Sequence, residues 1–225
     1  KMLTKEEINN NIEKIKSTLA VFLDFDGENP AEIVNNADWF SKINYIDFMR
    51  DYGVHFNINK MLSSEIYDKR LENGGLTFFE MGYMPMQAYD FVHLHKEYGC
   101  TLQYGGADQW GNIVAGTELG RKMNFLDGKN RVMIGATNPL LLTPEGKKMG
   151  KTENGAVWLD PNKTSPFDFY QYWRNVEDAD VLKCIRMLTF LPLEQINEMD
   201  SWKDAQLNTA KEILAFELTK LVHGE

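Results

Sequence analysis

The sequence predicts an α/β fold followed by a region built from helices alone. The run Leu102-Gln103-Tyr104-Gly105-Gly106-Ala107-Asp108-Gln109-Trp110-Gly111-Asn112 carries most of that prediction. Residues 100–104 are apolar and read as a buried strand that stops at two glycines. Asp108, Gln109 and Asn112 then open a helical pattern carried by Ile113, Val114 and Leu119. Beyond Pro166 only helical periodicity remains. With 43% hydrophobic and 25% charged residues, 225 positions suffice for one large domain or two small ones.

Taken in order, residues 5–19 place Ile8, Ile12, Ile15 and Leu19 at helical spacing. Residues 21–25 form a short apolar run expected to be a strand, and residues 32–35 a second. Residues 44–50 and 60–71 read as helices, separated by a turn at Tyr52-Gly53 and extended residues up to Asn57. Thr77 and Glu80 have capping-box spacing, so a long helix is expected to start there. Pro85 would then lie in its interior and bend it. Residues 131–134 and 138–142 supply the next extended segments, and residues 156–159 follow a glycine-punctuated loop. Helices are expected at 167–173, 179–190, 193–199 and 207–222, with a domain boundary at 165/166 and Pro166 at a helix start.

Composition removes some classes of function. No apolar run approaches the roughly 18 residues of a membrane span. Cys100 and Cys184 sit in apolar contexts without metal-ligand spacing, and read as reduced core residues of a cytoplasmic protein. An excess of 33 acidic over 24 basic residues, for a formal charge of −9, argues against a broad non-specific nucleic-acid surface. No N-terminal targeting segment is visible, which is uninformative for a chain that opens at Lys1-Met2.

Three constellations point to chemistry. A strand that breaks at glycines into a helix start lets backbone approach a nucleotide, although a purely structural turn has the same pattern. Upstream, Tyr83, Gln87 and Asp90 recur at i, i+4 and i+7, one narrow helical stripe about 10 Å long. Such a stripe is either a solvated face or a set of groups awaiting partners, since burying them unpaired costs a few kcal/mol each. Downstream, residues 143–152 form a loop with Lys147, Lys148 and Lys151. In isolation a lysine loop is a surface turn; beside a nucleotide site it suits a polyphosphate whose charge changes during reaction.

In this order the three elements resemble the bacterial-type tyrosyl-tRNA synthetases, class I aminoacyl-tRNA synthetases. Residues 148–152, Lys-Met-Gly-Lys-Thr, look like the family's form of the KMSKS loop. The pairing of Gln87-Ala88-Tyr89-Asp90 with residues 106–112 is specific to tyrosine enzymes. Further likeness runs from residues 22–26, Asn29-Pro30, Asn35-Asn36 and Asp38-Trp39 through Trp158-Leu159-Asp160 and Thr164-Ser165-Pro166 to residues 221–225. The family's other motif, HIGH, is absent: His55, His93, His95 and His223 lie in other contexts. The small C-terminal RNA-binding domain is also missing, so the chain looks like the middle of a synthetase.

The resemblance implies a Rossmann-like doubly wound nucleotide-binding domain over residues 1–165, truncated in its N-terminal half, and a helical domain over 166–225. It implies that L-tyrosine is activated with ATP, accompanied by Mg²⁺, and transferred to tRNA(Tyr) by a homodimer. Tyr83 and Gln87 would bind the tyrosine ammonium, Asp90 its phenol and Gln109 its carboxylate, with Gln103 supporting the pocket. Gly106 and Asp108 would approach the ATP ribose. Lys148 and Lys151 would neutralise the departing pyrophosphate, assisted by Thr152. Asn35 and Trp39 match family positions near the pocket, though a structural role suits Trp39 equally. The candidate dimer patch is Phe78, Phe79 and Met81, with Tyr45, Phe48, Met49, Phe56 and Met61 near it in sequence. His93 and His95 do not share a helix face and are expected to be neither catalytic nor metal-binding. Without HIGH, the chain on its own is expected to be inactive. An RNA-binding scaffold lacking aminoacylation, or a tryptophan enzyme, are the competing readings; the Tyr83–Gln87–Asp90 stripe opposes both.

Overall fold

The computed structural model describes residues 3–142, 149, 151–152 and 155–224. In chain order the elements are α1 (Lys5–Leu19), α2 (Ala37–Phe40), α3 (Tyr45–Asp51), α4 (Ile58–Leu62), α5 (Glu65–Glu72), α6 (Phe78–Met81), α7 (Tyr83–Tyr98), β1 (Leu102–Gly106), α8 (Trp110–Asp127), β2 (Ile134–Asn138), β3 (Lys151–Thr152), β4 (Gly155–Ala156), α9 (Pro166–Arg174), α10 (Asp178–Leu188), α11 (Leu193–Met199) and α12 (Ala205–His223). The α/β class expected from the sequence is borne out, with a parallel strand pair set among helices. The chain divides into two units, Asn35–Leu140 and a second made of Lys1–Val34 with Leu141–Glu225.

In the unit Asn35–Leu140, β1 and β2 pair in parallel, from Leu102 opposite Ile134 to Gly106 opposite Asn138. Parallel strands need a long crossover, and α8 supplies it. Close packing depends on glycines at two points. A Cβ on Gly135 would come within 2.5 Å of Ile113 Cγ2, so β2 lies directly against α8. A Cβ on Gly116 would meet Phe91 Cδ1 at 3.1 Å, which lets α7 cross α8 closely. Phe91, Ile113 and Leu119 are the nearly fully buried side chains at this junction.

The other unit holds the larger apolar core. Phe169 and Trp173 of α9, Val181, Cys184 and Ile185 of α10, Ile196 and Met199 of α11, and Leu214 and Leu218 of α12 are buried together. Ser165 caps α9 by accepting from the Asp168 amide, with Pro166 in the first helical turn, as its missing N–H allows. Ion pairs Arg174–Glu212, Arg186–Asp200 and Lys211–Asp178 lie at the helix surfaces and add little to stability individually.

Several local expectations are corrected. Residues 21–25 are not a strand. The amides of Phe22 and Leu23 turn back onto the carbonyl of Leu19, and Asp24 Oδ1 accepts from the amides of Asp26 and Gly27, both at 2.9 Å. Local side-chain bonding there competes with extension, as aspartate does in turns. Residues 32–35 are irregular. The helix expected over 60–71 is two helices, because Ser64 takes an extended conformation and the Ser63 hydroxyl bonds back to the Lys60 carbonyl. The strand expected at 100–104 is shifted to Leu102–Gly106, so both glycines belong to it, and the segments 131–134 and 138–142 reduce to β2.

The capping box at Thr77 forms, with Thr77 Oγ1 accepting from the Glu80 amide and the Glu80 carboxylate from the Thr77 amide. Its helix ends at Met81, however, and a new one starts after Gly82. Pro85 is therefore in the first turn of α7, where its N–H would have had no helical partner, and it bends nothing. The helical spacing of Tyr83, Gln87 and Asp90 survives intact.

Candidate active site

Asp90 is the centre of the site because two side chains from a distant segment converge on it. Trp39 Nε1 donates to its Oδ1 at 2.7 Å, and Asn36 Nδ2 donates to its Oδ2 at 3.1 Å. Asn36, the N-cap residue of the short helix α2, lies one turn before Trp39, and the Ala37 amide bonds to Asn35 Oδ1. The Trp39 indole is buried and stacks on His93, with ring centroids 4.4 Å apart. Asp90 and His93 are one turn apart on α7, so this helix contacts both the donor edge and the face of the same indole.

An aromatic cluster fastens α2 in place. Phe40, next to Trp39, lies 5.4 Å from Tyr89, the neighbour of Asp90, and Tyr89 also meets Phe48 and Tyr52. Such pairs add roughly 0.5–1.5 kcal/mol each beyond their burial. Burial, and then the adjacent Tyr52, push the Tyr89 phenol up to about 12. Tyr89 is thus a neutral packing group.

Burial raises the Asp90 carboxyl above the usual aspartate range, while the bonds from Asn36 and Trp39 and the nearby His93 pull it down. A carboxylate has about four acceptor positions, and hydrogen bonds from two described side chains occupy two of them. Asp90 therefore presents an oriented acceptor to any hydroxyl that reaches it. Tyr83 opens α7 as an exposed residue with its ring edge-on to Phe79, and Gln87 is half-buried between Tyr83 and Asp90 on the same stripe.

The glycine turn has its own geometry. Gln103, on β1, buries an Oε1 that has no hydrogen-bond partner among the described residues. At Gly106 a Cβ would sit 2.8 Å from Asp108 Oδ1 and 3.0 Å from Leu140 Cδ2, so the Asp108 carboxylate lies close over bare backbone. Asp108 belongs to a 3-10 turn, Ala107–Gln109, that feeds directly into α8. Gln109 is the N-cap residue of α8 and accepts a long 3.5 Å bond from Asn112. Strand end, carboxylate and the positive end of an 18-residue helix dipole are thus brought together.

The remaining candidates divide. Lys148 lies outside the described residues, and Lys151 and Thr152 form β3, paired antiparallel with β4. His93 stacks on Trp39, and His95 Nδ1 is 2.8 Å from the Cys100 carbonyl, so both histidines have structural partners. Both cysteines are free. Sequence reasoning named Asn35 but missed Asn36, the side chain that contacts Asp90. Its i, i+3 relation to Trp39 was the available signal.

The chain matches, over residues 1–225, the family described as tRNA synthetases class I (W and Y). It belongs to that family. It is 56% identical over 225 residues to the tyrosine–tRNA ligase of Acetivibrio thermocellus, covering 100% of this chain and 53% of that protein. The tyrosine–tRNA ligase of Caldanaerobacter subterraneus subsp. tengcongensis is likewise 56% identical, covering 100% and 54%. The chain spans about half the length of the curated relatives it matches. Among solved structures it is similar to a C-terminally truncated mitochondrial tyrosyl-tRNA synthetase of Coccidioides posadasii, with a TM-score of 0.76 at 28% identity, covering 100% of this chain and 66% of that one. No helix among the described residues is long and apolar enough to cross a membrane.

Proposed function

We propose that the full-length protein is a cytoplasmic tyrosine–tRNA ligase and that the Asn35–Leu140 unit carries its tyrosine and ribose sites. The observation that supports this most is Asp90, half-buried, oriented by Trp39 and Asn36, and left with acceptor capacity at the end of the Tyr83–Gln87 stripe. A phenol donates to such a group. A phenyl ring fills none of that remaining capacity and forfeits the charge-assisted bond a phenol makes, about 1.5–3 kcal/mol.

In the first step a tyrosine carboxylate oxygen attacks the α-phosphorus of ATP, and the bond to pyrophosphate breaks. In the second, a terminal ribose hydroxyl of tRNA(Tyr) attacks the acyl carbon and AMP leaves. The protein supplies positioning and charge stabilisation. Tyr83 and Gln87 would hold the ammonium, Gln109 the carboxylate, and Gln103 would support the pocket, its buried Oε1 accepting from a donor there. Gly106 gives the ribose access to backbone, and Asp108 accepts from its hydroxyls. Lys148 and Lys151, with Thr152, would stabilise the pyrophosphate as it departs. Mg²⁺ would arrive bound to ATP and offset its phosphate charge. The domain division at residues 165/166 is retained in this reading.

We also propose a homodimer. Phe78 and Phe79 are 68% and 69% exposed, and they border one apolar groove with Tyr45, Phe48, Met49 and Phe56. An exposed apolar patch of this kind fits self-association about a two-fold axis.

The enzymatic reading is tested by tyrosine-dependent exchange of pyrophosphate into ATP, measured with full-length protein against phenylalanine and tryptophan. Tyrosine alone should support exchange, and residues 1–225, which carry no HIGH sequence, should not catalyse it. Equal exchange with tryptophan, or none with tyrosine, overturns the assignment.

A further inference from the structure

The lysine loop is tied to α10 at two points, the residue that precedes it and Met149 within it. On the near side, Lys183 Nζ donates to the carbonyl oxygen of Leu142 at 2.7 Å and to Asp180 Oδ1 at 2.6 Å. Within the loop, the amide of Met149 bonds to the Leu141 carbonyl at 2.9 Å. Met149 Sδ also receives the Cys184 thiol at 3.9 Å. Lys183 and Cys184 are adjacent residues, so neighbouring positions of one helix reach Leu142, just before the loop, and Met149 within it.

The chemistry of this arrangement is unusual for mere packing. Asp180 is only 4% exposed and its Oδ2 has no hydrogen-bond partner among the described residues. A carboxylate in that position is unfavourable unless a cation compensates it. Lys183 does so, and a second of its donors goes to the Leu142 carbonyl. The helix beneath is anchored in the core: Val181, Cys184 and Ile185 are fully buried. The Cys184 thiol is pushed up to about 11, chiefly by burial, so it acts as a small packing group rather than a nucleophile.

We propose that Lys183, oriented by Asp180, is a positioning residue for the lysine loop: it fixes the backbone at Leu142 and so sets the point from which the segment carrying Lys148 departs. This rests on reading that segment as the KMSKS-type loop of a tyrosine-activating enzyme. A charge that must meet a departing pyrophosphate tolerates little misplacement; an error of about 1 Å can cost on the order of a hundredfold in rate.

The test uses full-length protein with Lys183→Met, which keeps the stem and removes the ammonium, and Lys183→Arg, which retains a charged donor. Lys183→Met should slow single-turnover adenylate formation by about tenfold or more, with tyrosine Kd within about twofold of the parent. Lys183→Arg should recover much of that rate. Hydrogen exchange at the Met149 amide should accelerate in Lys183→Met and not in Lys183→Arg. The proposal is overturned if Lys183→Met activates tyrosine at the parental rate, or if its Met149 amide exchanges at the parental rate. A parallel loss of tyrosine affinity with no recovery by Arg overturns it as well. If the parent shows no tyrosine-dependent exchange, the enzymatic reading fails, and the Met149 amide still decides whether Lys183 anchors the loop.

Discussion

The indole Nε1 of Trp39 donates a 2.7 Å hydrogen bond to Oδ1 of Asp90, across 51 residues of sequence. With Asn36 on the other oxygen, both carboxylate oxygens of Asp90 are held from one side, and their open lone pairs are directed elsewhere. This arrangement makes Asp90 an oriented acceptor rather than a mobile surface charge.

Asp90→Asn should lower discrimination between tyrosine and phenylalanine. Losing a charge-assisted hydrogen bond removes roughly 1.5–3 kcal/mol of preference. An amide also has only one acceptor oxygen, so Trp39 keeps its bond to that oxygen and Asn36 must turn its own amide to accept from the new NH2. A modest fall in melting temperature, with the fold largely intact, should accompany the loss. Exchange kinetics with both amino acids check this, and unchanged selectivity would remove Asp90 from the pocket.

Trp39→Phe keeps a ring to stack on His93 but deletes the donor. Removing a bond that lowers the Asp90 pKa lets burial raise it further. If Asp90 binds the tyrosine phenol as proposed, affinity should fall as pH drops through that raised pKa. The midpoint should lie above the ordinary aspartate range in the parent and higher still in Trp39→Phe. Tyrosine Kd measured from pH 4 to 8 reads both midpoints, and superimposable profiles would refute the coupling.

Gly106→Ala places a methyl 2.8 Å from Asp108 Oδ1 and 3.0 Å from Leu140 Cδ2, both ends of side chains that can shift. Stability should change by about 1 kcal/mol or less, because the neighbours can give way. The displaced Asp108 should raise the KM for ATP several-fold, roughly 1 kcal/mol of lost binding. Tyrosine affinity should be unaltered. An unchanged ATP KM would argue against a ribose at this turn.

Lys148→Ala and Lys151→Ala should each slow adenylate formation far more than they weaken tyrosine binding, since their charge matters most as pyrophosphate departs. Single-turnover kinetics separate the two effects. Normal activation with poor tyrosine affinity would contradict the assignment.

Phe78→Asp should shift the full-length protein toward monomer. Phe78 is 68% exposed on the rim of the apolar groove, and a two-fold axis would bring two new charges near each other. Light scattering at tens of micromolar decides it: a monomeric parent, or a variant that still dimerises, ends the dimer proposal.

The sequence alone determined what depends on short-range pattern. The capping box of Thr77 and Glu80, Ser165-Pro166 at the start of α9, and the stripe of Tyr83, Gln87 and Asp90 are set by residue spacing within a turn or two. The glycine pair followed by Asp108 is local in the same way. Where a side chain competes for nearby backbone, the pattern misled: Asp24 turned an apolar run away from a strand, and Gly82 moved Pro85 from a helix interior to a first turn. Only the tertiary structure decided which residues meet across long separations. That Asn36 rather than Asn35 reaches Asp90, that Trp39 is both a buried ring and a donor, and that Lys183 grips Leu142 depend on the close packing of helices. Hydrogen bonds form within about 3 Å, so rotating a helix by one residue, about 100°, redirects every side chain on it. Sequence spacing fixes directions within one element; it cannot say which face a second element will present.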